Sequence, residues 1–456
     1  MKRREILGLG LIASGLAACR SLGLPGSGGG NQAPHDLQIW WSEGYYPEET
    51  DAIERIFTAW SRLSGKKLNL TFFSENEITA KAQSAVDGGP VPDILYGYGI
   101  NDTTVPVLSY RNQIVSLNDI IRPIKNDLLP GVIDGITYLN RESRTKSIYG
   151  APLSQHSVNL HYWRDLLEEA IGTDDTAIIP KDWNGFWRFW FDCQSRLRGK
   201  GYDDVFGLAL PMSSQSRDTT YIFEFFLEAH GAQLINPGGK FQLDDADMRR
   251  RVIAALRNYT DLYKEKAVPP KSTSWSDPDN NIHFLSSLSL MTANPTLSIP
   301  GSQISDEIAY FERLGSLRWP SSLDGQQTRS FNSIKQAVVF QGSNAESARS
   351  LLAYLLKPEN LSRYVEGSQG RFLPITKTII AMPFWHNERD QHIQTAIKNL
   401  QVVKPPAWIL NPAYSAVITK NIWGHAIESI ATGSSSAVKA ADQAIADIRD
   451  IVQRWG

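Results

Sequence analysis

The sequence predicts an α/β protein of two lobes, each a mixed sheet flanked by helices, with hinge strands running between them. Three observations carry that expectation. After residue 35 the chain reads strand, helix, strand, helix, strand, the order of parallel strands joined by crossover helices. Tyr149–Leu167 (YGAPLSQHSVNLHYWRDLL) breaks at Gly150 and Pro152 and resumes as alternating Val158, Leu160 and Tyr162, as a segment does when it leaves one sheet and opens another. A second passage at Tyr310–Pro320 brings the chain back. With 456 residues, 42% of them hydrophobic, there is material for two cores. The expected lobes are 36–153 with 314–345, and 154–313 with 346–456.

The first eighteen residues read as an export signal: Lys2-Arg3-Arg4, then an apolar run from Ile6 to Ala18 that is too short to span a bilayer. Leu16-Ala17-Ala18-Cys19 is similar to the box at which bacterial lipoproteins are cleaved and diacylated on the new N-terminal Cys. Arg3-Arg4 also resembles a twin-arginine signal. Residues 19–35 are Gly, Ser, Pro and Asn-rich, the composition of a flexible tether. With Cys19 lipidated, only Cys193 remains of two cysteines, so an internal disulfide is excluded and Cys193 is assigned to packing.

In the body, Asp36–Trp41 is an apolar run suited to a parallel strand buried on both faces. Pro47-Glu48-Glu49 opens a helix whose Ile53, Ile56, Phe57, Trp60 and Leu63 share a face before Gly65 stops it. Leu68, Leu70 and Phe72 alternate as a second strand, Glu77–Val86 is helical, and Pro92-Asp93 starts a third strand, with Asp93 ordering its turn. Beyond the crossing come a helix from Asp182-Trp183, a strand at Phe206–Leu210, and an aromatic helix from Tyr221 to His230. A long amphipathic helix follows over Asp244–Ala267, then helix and strand over Ile282–Ala293. After the return passage, Phe331-Asn332-Ser333 reads as a loop, Ala345–Leu356 as a helix, and Gly370–Pro374 as a turn. A final helix carries Val438, Ala441, Ile445, Ile448, Val452 and Trp455 on one face.

The "YGxP" at Tyr149–Pro152, the Leu166-Leu167 tail, the Pro92-Asp93 pair, the Trp183/Phe186 helix start and the Gly370–Pro374 turn, in this order, resemble the extracytoplasmic solute-binding proteins of ABC importers. The likeness is to their sugar-binding family 1, which includes maltose-binding protein. That resemblance implies a type II periplasmic-binding-protein fold, a ligand cleft between the lobes, no enzymatic activity, no cofactor, and delivery of the ligand to ABC permease subunits at the membrane.

A carbohydrate offers hydroxyls that give and accept hydrogen bonds, and C–H faces that lie on aromatic rings. Trp41, Glu43 and Tyr45 follow the first strand at its carboxyl end, where ligands gather in open α/β sheets. Trp41 reads equally as cleft or core. Trp275 stands in a Ser/Asp/Pro loop, and Gln155 and His156 lie at the crossing. The family's cleft, carried over by position, adds Tyr98, Thr219, Tyr221, Asn294, Thr296, Phe331, Asn332, Arg371 and Tyr414. Arg371 is the one basic group in this set, which points to a neutral sugar, glycoside or polyol. His156 stands where maltose-type members often carry a carboxylate, and the Asn294–Thr296 segment lacks their stacking Trp.

The other classes have less support. A near-even charge balance, 46 Lys and Arg against 48 Asp and Glu, excludes a nucleic-acid binder that works by bulk charge. There is no His-Glu-x-x-His, Cys pair, Gly-x-Ser-x-Gly or phosphate loop. A glycoside hydrolase needs only two carboxylates and stays in play, as do an iron binder using Tyr45-Tyr46 or Tyr96 with Tyr98, and a polyamine binder. A monomer is expected.

Overall fold

Two sheets organise the computed structural model, which describes residues 36–455. The leader, Cys19 and the tether lie outside the described residues. The first sheet runs in the order Leu68–Phe73, Leu37–Ser42, Ile94–Tyr96, Ser333–Val339, Ala151–His156. Leu37–Ser42 is parallel to both its neighbours, and Ser333–Val339 alone runs antiparallel. The second sheet runs Leu314–Leu317, Asn159–Trp163, Ser289–Asn294, Phe206–Ala209, again mixed.

Local chemistry explains the opening βαβ unit. Helix Pro47–Ser64 has Pro at its start and two acids in its first turn, and it ends where Gly65 takes a left-handed φ of 68°. Its buried face is Ile53, Ile56, Phe57 and Trp60; Leu63, expected with them, sits in the last turn and is 74% exposed. The next helix, Glu75–Val86, starts two residues before the expected Glu77 because Ser74 and Glu77 form a reciprocal capping box. Asp93, expected to order its own turn, instead ties the third strand to distant segments, accepting from the Gln38 amide on the neighbouring strand at 2.8 Å and from Asn344 at 3.0 Å.

Three assignments to lobes are corrected. The crossing expected after residue 153 falls at Ser157-Val158. Ser154, Gln155 and His156 are still held in the first sheet by pairing with Lys335, Ile334 and Ser333, and Gln155 also exchanges two 2.9 Å backbone bonds with Leu373. The return strand Leu314–Leu317 belongs to the second sheet, antiparallel to Asn159–Trp163. Helices Ala345–Leu355 and Pro358–Gly367 pack with the first sheet, because Leu351, Leu352, Leu361 and Val365 bury against the core that holds Ile39 and Trp41. The last three helices do join the second lobe. Helix Ala437–Trp455 buries Ala440, Ala441, Ala444, Ile445, Ile448 and Ile451, while Val438 and Val452 are only partly covered.

The core of the second lobe is aromatic. Trp183, Trp187, Phe225, Phe226 and Trp319 stack among themselves, with Phe225 and Trp319 centroids 4.0 Å apart. Cys193 is buried in it, its thiol pushed up to about 12 by burial, as fits a packing role. No described helix is long and apolar enough to cross a membrane.

Candidate functional site

The site is set by the register of two strands. In the antiparallel pair Ala151–His156 and Ser333–Val339, Ser333 lies opposite His156 and Lys335 opposite Ser154. Side chains opposite one another share a face, and alternate residues return to it, so these four make one polar patch. The reverse face carries Leu153 and Ile334 into the core. All four polar residues are buried, Lys335 to 2% exposure.

The segment after the third strand closes over the patch. Tyr98 lays its ring under the Lys335 ammonium, with Nζ 3.7 Å from the centroid, and stacks near His156 at 6.2 Å. Asn101 donates to Ser333 Oγ at 2.8 Å and accepts from Lys335 at 3.4 Å. Arg371, from the turn after Gly370, lies over the rings of Tyr45, Tyr98 and Phe372, at 4.4, 5.1 and 4.8 Å.

The second lobe meets this surface with the start of helix Arg217–Ala229. The Tyr221 hydroxyl donates to Asp102, and Arg217 pairs with Glu75 of the first lobe at 3.6 Å and with Asp277 at 3.9 Å. His156 Nδ1 donates to the Pro295 carbonyl at 2.6 Å, just past the second-sheet strand Ser289–Asn294. Gly99 is required at this closure: its φ is 81°, and a Cβ there would lie 2.8 Å from Arg217 Nη1. The lobes are therefore in contact across the site.

Burial sets the protonation states. It drives His156 well below the ordinary imidazole value, with Lys335 adding to the effect, so the ring is neutral. With its proton on Nδ1, the Nε2 atom is an acceptor. Burial pushes Lys335 down to about 7 against the pull of Asp102 and Glu75, and it raises the carboxyls of Glu75 and Asp218. Ser154 Oγ, His156 Nε2, Asp102 Oδ1 and Arg371 Nε are buried without a hydrogen-bond partner. Each such atom costs about 1–3 kcal/mol unless something satisfies it. Their concentration on one face is the signature of a surface that binds polar groups.

Of the sequence-predicted residues, the structure brings Tyr45, Tyr98, His156, Tyr221 and Arg371 to this place. Gln155 and Asn332 support it from the reverse side: Gln155 bonds the Pro374 carbonyl at 2.5 Å and receives Asn332 at 2.7 Å. Asn294 and Thr296 brace the loop beside Pro295, with Asn294 donating to the Thr296 carbonyl at 2.7 Å. The others are elsewhere. Trp41 is core, 1% exposed and stacked on Tyr96 at 4.4 Å, which also removes Tyr96 from any metal pair. Trp275 is core at 7% exposure, clustered with Trp163, Phe284 and Ile299. Phe331 packs on Phe225 and Trp408, Thr219 bonds back to the Ser213 carbonyl, and Tyr414 bonds Glu224 and Trp423 inside the second lobe. Glu43 is solvent-exposed.

Lys335, Asp102 and Arg217 belong to this candidate site and are absent from the sequence-based set. Lys335 had a signal, a lone charge inside the apolar strand SIKQAVV, and Arg217 stands in the first turn of the aromatic helix. Their presence withdraws the ground for a neutral guest, which treated Arg371 as the one cation. Among the described residues, no group of three His, Cys, Asp or Glu is arranged to hold a metal.

The fold agrees with comparison to known proteins. Among solved structures, a solute-binding protein of an ABC transporter from Thermotoga lettingae, bound with alpha-D-tagatose, superposes with a TM-score of 0.72 at 18% identity. The match covers 91% of this chain and 99% of that one. Maltose-bound MalE3 of T. maritima gives 0.70 at 16% identity over 91% and 99%. A sugar transporter from Arthrobacter chlorophenolicus with bound laminaribiose gives 0.70 at 15%, covering 91% of this chain and 99% of that one. These likenesses show the fold, that of the two-lobed periplasmic sugar-binding proteins. No curated protein matches the chain. The family model for bacterial extracellular solute-binding proteins matches residues 57–394, a span that holds both sheets' crossing strands and most of the polar face, and the chain belongs to that family.

Proposed function

We propose that the protein captures a carbohydrate, glycoside or polyol between its lobes and delivers it unaltered to the membrane subunits of an ABC importer. The observation that carries this reading is the buried polar face of Ser154, His156, Ser333 and Lys335, roofed by Tyr98 and faced by Asp102 and Tyr221. Neutral His156 Nε2 and Asp102 Oδ1 accept from sugar hydroxyls, Lys335 and Arg371 donate to sugar oxygens, and Tyr98 offers a ring to a C–H face. The similar structures with bound tagatose, maltose and laminaribiose support a sugar ligand. The contacts Tyr221–Asp102 and Arg217–Glu75 join the lobes, so a ligand touching both sides favours the closed arrangement over an open one by a hinge motion. The leader over 1–18, lipidation at Cys19 and the tether over 19–35 complete the proposal with a monomer held at the outer face of the cytoplasmic membrane.

Titration calorimetry against mono-, di- and trisaccharides and glycosylated osmolytes, with chromatography of the recovered sugar, tests it. The expected result is one-to-one binding with the sugar recovered intact. Release of a hydrolysis product would replace transport by glycoside hydrolysis.

A further inference from the structure

The charges of the cleft are partnered unevenly. Arg217 lies between Glu75 and Asp277, and Asp102 receives the Tyr221 hydroxyl. Asp218 has its amide on Asp277, and burial together with Asp277 raises its carboxyl. Glu49, behind Arg371, is likewise raised, to about 7, by burial. The acids are thus bonded, paired or pushed toward neutrality. Among the described residues, Lys335 and Arg371 form no ion pair with any of them. Both cations instead rest on the same ring, Tyr98, at 3.7 and 5.1 Å, and Arg371 Nε is buried without an acceptor. Two cations brought to one ring in a closed interior repel each other, and the carboxylates of Asp102 and Glu75 that pull on Lys335 make no direct pair with either, an arrangement that a bound anion relieves. Beside them, His156 Nε2 and Asp102 Oδ1 are acceptors that call for hydroxyl donors.

We infer that the ligand is an acidic carbohydrate, a sugar or glycoside bearing one carboxylate, with that carboxylate held between Lys335 and Arg371 and its hydroxyls directed to His156 and Asp102. This rests on the carbohydrate reading above and narrows it. A uronic acid, an aldonic acid or a glycoside of a hydroxy acid has this chemistry. A polyamine has the opposite charge and is repelled by the same pair.

The test is calorimetric titration of the full chain with matched pairs that differ only in the carboxylate: glucuronate against glucose, galacturonate against galactose, and glucosylglycerate against glucosylglycerol. One acidic member is expected to bind at least about tenfold tighter than its neutral partner, a ratio that falls as salt is raised. Lys335→Gln and Arg371→Gln are each expected to reduce that ratio. The wild-type comparison stands even where a variant fails to fold. Equal or tighter binding of the neutral members overturns the acidic-ligand inference and leaves the carbohydrate reading standing. Binding of no member of any pair, with none in the wider sugar screen, overturns both.

Discussion

Replacing Lys335 by Met should stabilise the protein while weakening its site. The ammonium is buried to 2% exposure with one 3.4 Å bond to Asn101 and the Tyr98 ring as its partners. Burial holds it at about 7 where an ordinary lysine stands at 10.5. At about 1.4 kcal/mol per pH unit, this is a folding cost of roughly 5 kcal/mol as an upper bound. Losing the cation–π contact and the weak hydrogen bond gives back about 2 kcal/mol, so the expected gain is near 3 kcal/mol. Met keeps the unbranched shape and brings no charge, and such exchanges of buried charge for apolar bulk are often stabilising. The pH dependence has a definite sign. Below about 7 the lysine is charged in both states and the cost is fully present. Between about 7 and 10.5 the unfolded chain holds the proton that the folded chain has lost, so wild-type stability rises with pH. The advantage of Lys335→Met is therefore largest at pH 6 and nearly gone at pH 9. Equilibrium guanidinium unfolding at the two pH values reads this directly. A Met variant less stable than wild type at pH 6, or an equal gain at both pH values, would mean that burial of the ammonium is not what costs stability here.

Tyr221→Phe removes a hydrogen bond between the lobes to a charged acceptor, a contact of about 1.5–3 kcal/mol, and should shift the closed arrangement toward open by roughly 10- to 150-fold. Small-angle scattering would show it as a larger radius of gyration, and an unchanged radius would count against the latch. His156→Ala should weaken sugar binding by about 1–3 kcal/mol in calorimetry, and because the ring is already neutral, its contribution should stay flat from pH 6 to 8. Gly99→Ala should lower affinity by forcing a methyl group against Arg217 from a left-handed backbone, measured in the same titration. Trp275→Ala should act on stability, at a cost of about 3–5 kcal/mol for a buried Trp, seen as a lowered midpoint of thermal unfolding.

Much of the fold was legible because its signals are local. The Pro47 start and Gly65 stop, the alternation at Leu68–Phe72 and the break at Gly150–Pro152 each act within a few residues. The errors come from pairing that sequence does not display. Ser154–His156 stay in the first sheet because Lys335, Ser333 and Leu373 hold them there, and those partners are some 180 to 220 residues away. Helix Ala345–Leu355 is amphipathic in either lobe, and only the packing of Leu351 and Leu352 decides which. The site was half legible for the same reason. Tyr98, His156 and Arg371 sit at strand ends or turns, where exposure to a guest can be argued from position. Trp275 looked available because its neighbours are polar, yet its ring turns in toward Phe284 and Ile299. Lys335 is not legible in this way, because a single charge in an apolar strand gains its meaning only from His156 and Tyr98 beside it.

The most direct test of the whole account is the stoichiometry of carbohydrate binding to wild type and to Asp102→Asn, measured by calorimetry at pH 7. Saturable one-to-one binding by wild type, weakened at least about tenfold in the variant, is what a site spanning Asp102, His156 and Lys335 predicts. Binding that is indifferent to the substitution, or no carbohydrate binding in wild type, would contradict it.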